Sequence, residues 1–182
     1  MLEEPSMKAL LDVLLPRIIP ENITFKCIPH EGKQDLEKSI PKKLKAWNTE
    51  AKFIIIRDQD SGNCLKIKEQ LSDLCQQSGR SDSLIRIVCH ELESWFLGDL
   101  AAVEKAFNLR QGKLSQKQNN AKYRDPDQLN SAKQELKKLV DNYQQISGSR
   151  EIGQYLEVEN IEKNTSYSFK VFIQGVRKIL EE

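Results

Sequence analysis

The sequence predicts an α/β protein, with a mostly parallel sheet flanked by helices and a mainly helical C-terminal part. Three observations carry that expectation. Short β-rich runs alternate with helical patterns through the first half, as crossover units between parallel strands require. Lys52-Phe53-Ile54-Ile55-Ile56-Arg57 is a nearly unbroken apolar run, suited to a strand buried on both faces. Beyond Asp99 the strand signal fades and helical spacing takes over.

In chain order, Pro5 suits a first helical turn, and Leu10, Leu11, Leu14, Leu15 and Ile18 recur at helical spacing, predicting a helix from Pro5 to Ile19. Ile23 to Pro29 reads as a strand, and Ser39 with Pro41 starts a short helix ending near Trp47. The apolar run gives the next strand. Leu65, Lys68, Leu71, Leu74 and Cys75 mark a helix closed by Gly79, and Leu84 to Cys89 is a further strand with helix from Glu91. Further helices are expected over Leu100–Phe107, Ser131–Tyr143 and Ser166–Leu180, the second opened by a capping box of Ser131 and Gln134. Phe169, Phe172, Ile173, Val176 and Leu180 form one stripe of the last helix, which reads as cover for a core.

The 182 residues fit one domain, with residues 1–99 as the sheet-forming core and 100–182 as a helical extension. The 28 basic and 27 acidic residues leave a net charge of +1, so no global field announces a nucleic-acid or membrane partner. Cys27, Cys64, Cys75 and Cys89 lack CxxC spacing and read as reduced core thiols. No apolar run approaches the roughly 20 residues of a membrane span, and no signal peptide opens the sequence, so a cytoplasmic protein is expected. One local asymmetry stands out. Residues 105–124 carry Lys105, Arg110, Lys113, Lys117, Lys122 and Arg124 with no acid, and their Gln- and Asn-rich composition predicts a mobile surface loop.

Candidate chemistry gathers after the strands, because ligands of open parallel sheets bind beyond the carboxyl ends. Asp58 and Asp60 follow the most apolar strand, and i, i+2 spacing places both on one side of an extended backbone. Two such charges call for a cation, magnesium or manganese being the natural choice, although Asp-Gln-Asp-Ser-Gly-Asn is also good turn chemistry. Glu3 or Glu4, before the first helix, supplies a third carboxylate, or merely favours a helix N-terminus. Glu91 and Glu93 follow the next strand and point to different sides of a helix, so at most one is expected as a ligand. Lys33, behind Gly32, is placed to reach a phosphate near the acids.

Leu2-Glu3-Glu4-Pro5-Ser6, Gly32-Lys33, Arg57-Asp58-Gln59-Asp60, Glu91-Leu92-Glu93-Ser94-Trp95 and Asn164-Thr165-Ser166-Tyr167-Ser168-Phe169 together resemble the domain-of-unknown-function 4276 family over nearly the whole chain. That group is Toprim-like, similar to topoisomerases, primases and overcoming-lysogenization-type nucleases. The resemblance implies general acid/base work for Glu3, magnesium held by Asp58 and Asp60 with Glu93 as an added ligand, and cleavage or transfer of a phosphodiester. It also implies a bacterial defence setting beside an ABC-type ATPase. An apolar strand should precede Glu3, where only Met1 and Leu2 stand, which would leave a gap beside the central strand.

The leading expectation is a magnesium-dependent nuclease acting on DNA or RNA, with Lys113, Lys117, Lys122 and Arg124 supplying backbone contacts. The plain alternative for that segment is a solvated loop. Ile-Ile-Ile-Arg-Asp-Gln-Asp also resembles a haloacid-dehalogenase-like phosphatase with Asp58 as nucleophile. Gly62 stands where that family wants a hydroxyl residue. A non-catalytic subunit docking on the ATPase is the third reading.

Overall fold

The computed structural model describes residues 1–181. Among these, α1 (Pro5–Leu14), α2 (Lys33–Ala46), β1 (Ile54–Asp58), α3 (Cys64–Gln76) and β2 (Leu84–Val88) form the first half. The second contains α4 (Glu93–Leu97), α5 (Leu100–Ala106), α6 (Ala121–Arg124), α7 (Ala132–Leu139), α8 (Gln145–Gly153) and α9 (Tyr167–Glu181). The class is α/β, as predicted, but the regular sheet is smaller than the sequence suggests.

Only β1 and β2 form a full parallel ladder, with Ile54 opposite Leu84 and Asp58 opposite Val88. Two further rows extend it by single parallel bridges, Leu2 pairing with Ile56 on one side and Pro29 on the other. The Ile56 amide donates to Met1 O at 3.0 Å and the Glu3 amide to Ile56 O at 3.1 Å, while the Leu2 amide reaches Ile28 O at 2.9 Å. The rows therefore run in the order 29, 2, β1, β2. The strand predicted over Ile23–Pro29 does not form. Its short neighbouring row offers few partners, and Pro29 has no amide to donate. A groove of about 820 Å³ lies beside this row, lined by Ile23, Phe25, Phe53, Ile54, Phe172 and Val176 among others.

Period-two alternation divides the apolar residues between two cores. Ile55 and Ile85 pack with Leu36 and Ile40 of α2 and Ile67 and Leu71 of α3. Leu2, Ile56 and Val88 face the other way, into a larger core with α1, Trp95, Phe96 and the Phe169–Phe172 stripe of α9. Helices thus cover both faces, which is why β1 reads as continuously apolar.

Several boundaries differ from expectation for local reasons. The first helix ends at Leu14 and tightens into a 3₁₀ turn over Leu15–Arg17, because Pro16 has no amide to return to the preceding turn. The second begins at Lys33, not Ser39, since Gly32 at φ 99° turns the chain into it and Pro41 lies inside rather than at its start. The Ser131 side chain makes no capping bond, so the predicted box is absent. Helix α8 went unforeseen, because Gly148 inside it and Gly153 at its end leave little periodicity. Gly153 packs against Leu10 and Val13 of α1.

The basic segment is folded rather than a mobile loop. The Glu104 carboxylate, 6% exposed, accepts the amides of Gly112 and Leu114 at 2.8 Å and of Ser115 at 3.1 Å. Burial pushes this carboxyl up, but those three donors outweigh it and hold it below its ordinary value. Leu114 and Tyr123 are buried within the segment. All four cysteines are unpaired, and no helix among the described residues is long and apolar enough to cross a membrane.

The Asn164–Phe169 motif is a clasp that ties the approach to α9 onto α4. Asn164 donates to Trp95 O at 3.0 Å and accepts the Ser166 amide at 2.9 Å, directly over Gly98. A Cβ on Gly98 would lie 2.0 Å from Asn164 Oδ1 and 2.8 Å from the Ser166 amide nitrogen. Gly98→Ala is therefore expected to destabilise by at least about 1–3 kcal/mol, lowering the melting temperature by about 2–4 °C for each kcal/mol lost. A thermal scan of the variant matching the unsubstituted protein would contradict the clasp.

Candidate active site

The row order 29, 2, β1, β2 has a topological switch between the row of Leu2 and β1. From Leu2 the chain leaves through α1 on one face, and from β1 through α3 on the other. The crevice that opens at the carboxyl ends of two such strands is the ordinary ligand position of an open α/β sheet. Glu3 and Asp58 are the residues found there.

The ladder between these rows ends in a side chain. Where the next backbone carbonyl would stand, Glu3 Oε2 accepts the Asp58 amide at 2.9 Å. The Arg57 guanidinium lies 4.0 Å from the same oxygen and bonds Glu37 of α2 through Nη1. Glu3 and Asp58 are 8% and 7% exposed. Asp58 Oδ1 and Arg57 Nε are both buried without a hydrogen-bond partner.

Glu93 and Asp60 add charge from two sides. Glu93, 1% exposed in the first turn of α4, accepts the Tyr143 hydroxyl at 3.0 Å. Asp60 sits at the mouth, its Oδ2 2.9 Å from Lys33 Nζ. Both groups are about half exposed, so that pair contributes only about 0–1 kcal/mol. Asp60 adopts φ 52° and His90 φ 55°. They hold each other, the Asp60 amide donating to His90 O at 2.9 Å while His90 Nδ1 lies 3.1 Å from Asp60 O.

Glu91 and Glu4 are drawn into structural contacts. Glu91 Oε2 accepts the Lys133 amide at 2.9 Å, in the first turn of α7. Glu4 accepts Gln145 Nε2 at 3.1 Å on both oxygens. Of the predicted nucleic-acid residues, Lys113, Lys117 and Arg124 are exposed, while Lys122 is paired with Glu135 at 2.7 Å.

Burial pushes the Asp58 carboxyl well above its ordinary value, and the charges of Glu4, Glu3, Glu93 and Asp60 add to the effect. Glu3 is raised by burial and by Asp60, against the bond from the Asp58 amide. Glu93 is also raised by burial, against the Tyr143 hydroxyl. Like charges so close need protons or a cation. Among the described residues no three His, Cys, Asp or Glu side chains converge as a ready-made metal cage. The all-oxygen donors and the open oxygen of Asp58 instead fit a hard ion that keeps several waters and uses one or two carboxylates, as magnesium does.

Sequence reading identified Glu3, Asp58, Asp60, Glu93 and Lys33 but missed Arg57, Tyr143 and Gln145. Arg57 left a trace, a charge closing an apolar run. Tyr143 and Gln145 left none, because their partners lie far away in sequence.

Among known proteins, the sequence model of one family, a domain of unknown function (DUF4276), matches residues 2–177. No curated protein and no solved structure matches.

The raised carboxyls set a pH dependence. The folded state keeps protons that the unfolded chain releases above its ordinary values, 3.8 for Asp58 and 4.5 for Glu3 and Glu93. The stability they confer is therefore complete below those values and is lost as pH rises through the raised ones. In metal-free buffer, Asp58→Asn is expected to melt several degrees higher than the parent at about pH 8 and to flatten the fall from about pH 5. A variant melting lower at both would show that Asp58 is not a strained charge.

Proposed function

We propose that this chain, which belongs to the DUF4276 family, is a Toprim-like protein that cleaves phosphodiesters with the help of magnesium or manganese. The observation that supports this most is the buried, unpartnered Asp58 oxygen at the topological switch, surrounded by Glu3, Glu93 and Asp60.

Asp58 would hold the ion, with Glu3 beside it. A bound ion would polarise a phosphoryl oxygen and lower the pKa of a coordinated water. Glu3, its carboxyl raised and fixed by the Asp58 amide, is placed to accept or return a proton. Arg57, whose buried Nε lies 4.0 Å from Glu3 Oε2, sets a positive charge beside that carboxylate from β1. Lys33 would meet a substrate phosphate at the mouth, exchanging its pairing with Asp60. Burial of the acids keeps bulk water from screening these charges.

A second reading, a docking subunit of an ABC-type ATPase in a bacterial defence system, draws on the apolar groove beside the short row. The two readings part on metal binding. Calorimetric titration with magnesium and manganese is expected to give binding to the parent and none to Asp58→Asn/Asp60→Asn. Under manganese, nuclease activity is expected to fall at least about 100-fold in Asp58→Asn, and about 10-fold or more in Lys33→Ala with the metal affinity kept. Absence of binding in the parent would pass the argument to the docking subunit.

A further inference from the structure

The acids of the candidate site are recessed, which restricts what reaches them. Glu3, Asp58 and Glu93 are 8%, 7% and 1% exposed, and only Asp60 stands at the mouth. A scissile phosphate must descend to them. The backbone of a duplex follows a stiff, regular path, whereas a single strand bends and exposes its base faces.

The rim of this recess carries an aromatic ring that packs on little. Tyr167 is 72% exposed at the first position of α9. The Asp127 carboxylate fixes that end, accepting the Ser168 amide at 2.7 Å, and the Cys89 amide donates to Ser168 Oγ at 3.4 Å. Cys89 immediately precedes His90, which grips Asp60. Tyr167 thus stands on the carboxyl rim of the sheet, next to the loop that forms the mouth.

The basic segment abuts the same end of α9. Thr165 Oγ1 donates to Tyr123 O at 2.9 Å, and Gln118 Nε2 reaches Thr165 Oγ1 at 3.2 Å and Leu97 O at 3.0 Å. Those bonds seat the backbone of Tyr123, and with it the adjacent Arg124, against the segment that leads into α9. Lys113, Lys117 and Arg124 are exposed and make no ion pair among the described residues. Tyr123, the aromatic interleaved with these cations, is buried in the larger core and offers them no stacking face. The fold supplies one from elsewhere in the chain.

We propose that the substrate is single-stranded nucleic acid, with a base stacked on Tyr167 and the neighbouring phosphates held by Lys113, Lys117 and Arg124. The inference rests on the phosphodiester-cleaving reading of the acid cluster and names its substrate class. An exposed aromatic face beside unpaired cations is how proteins bind single strands without sequence preference. A duplex, with its bases already stacked on one another, offers nothing to Tyr167.

The test is fluorescence anisotropy with a labelled single-stranded oligodeoxynucleotide of mixed sequence and the corresponding duplex, in chelator so that no cleavage occurs. The parent is expected to prefer the single strand. Tyr167→Ala should weaken that binding roughly 5- to 100-fold, with Tyr167→Phe retaining it and duplex binding unmoved. The triple variant Lys113→Ala/Lys117→Ala/Arg124→Ala should shallow the dependence of log affinity on log salt by about 2. No single-strand binding by the parent, equal binding by Tyr167→Ala, or equal loss on the duplex would each overturn the proposal. A failed metal titration with Tyr167-dependent binding intact removes the cleavage reading alone, and metal-dependent cleavage of duplex indifferent to Tyr167 removes this one alone.

Discussion

The bond from the Asp58 amide to the Glu3 carboxylate is the contact around which the candidate site is organised. It ends the pairing of two parallel rows with a side chain instead of a carbonyl, and so carries a negative charge to the sheet edge. Both partners are buried, and the Glu3 charge raises the preference of Asp58 for a proton while the Asp58 amide lowers that of Glu3. A cluster of this kind opposes the fold's own stability unless something positive arrives. Stability given up at one position is common where a protein must recognise a ligand.

Much of the arrangement was legible because it follows from short-range rules. The apolar run before Asp58 marks a strand covered on both faces, and acids after successive strands converge where parallel carboxyl ends do. Glu91 and Glu93 go to different places, one to α7 and one to the cluster, although α4 begins only at Glu93 and Glu91 lies in the bend before it rather than on the helix. What stayed hidden depends on tertiary contact or on exceptions to propensity. Pro41 reads as a helix start but lies inside α2, and the Ile23–Pro29 run reads as a strand but has almost no partner. Residues 105–124 look like a loop because the carboxylate that folds them, Glu104, lies at the edge of the window.

The Asp60–His90 pair shows how the loops after β1 and β2 act together. Each residue holds a backbone conformation unusual for anything but glycine, and each bonds the other's main chain. The mouth is thereby pinned on the two strands that pair most regularly. Lys33 comes to it from a different helix through a weaker, half-exposed contact, so it is the member of the group free to change partners.

Three acids around the site are held by donors from late in the chain. Glu4 meets Gln145, Glu91 meets the amide of Lys133, and Glu93 meets Tyr143. A ribosome making this protein delivers these carboxylates early and their restraints only from the fortieth residue beyond Glu93 onward. A nascent chain that already has both strands still lacks the contacts that separate Glu91 from Glu93. Order around these three acids is thus tied to near-completion of synthesis, and a chain stopped before Lys133 would carry them without their partners.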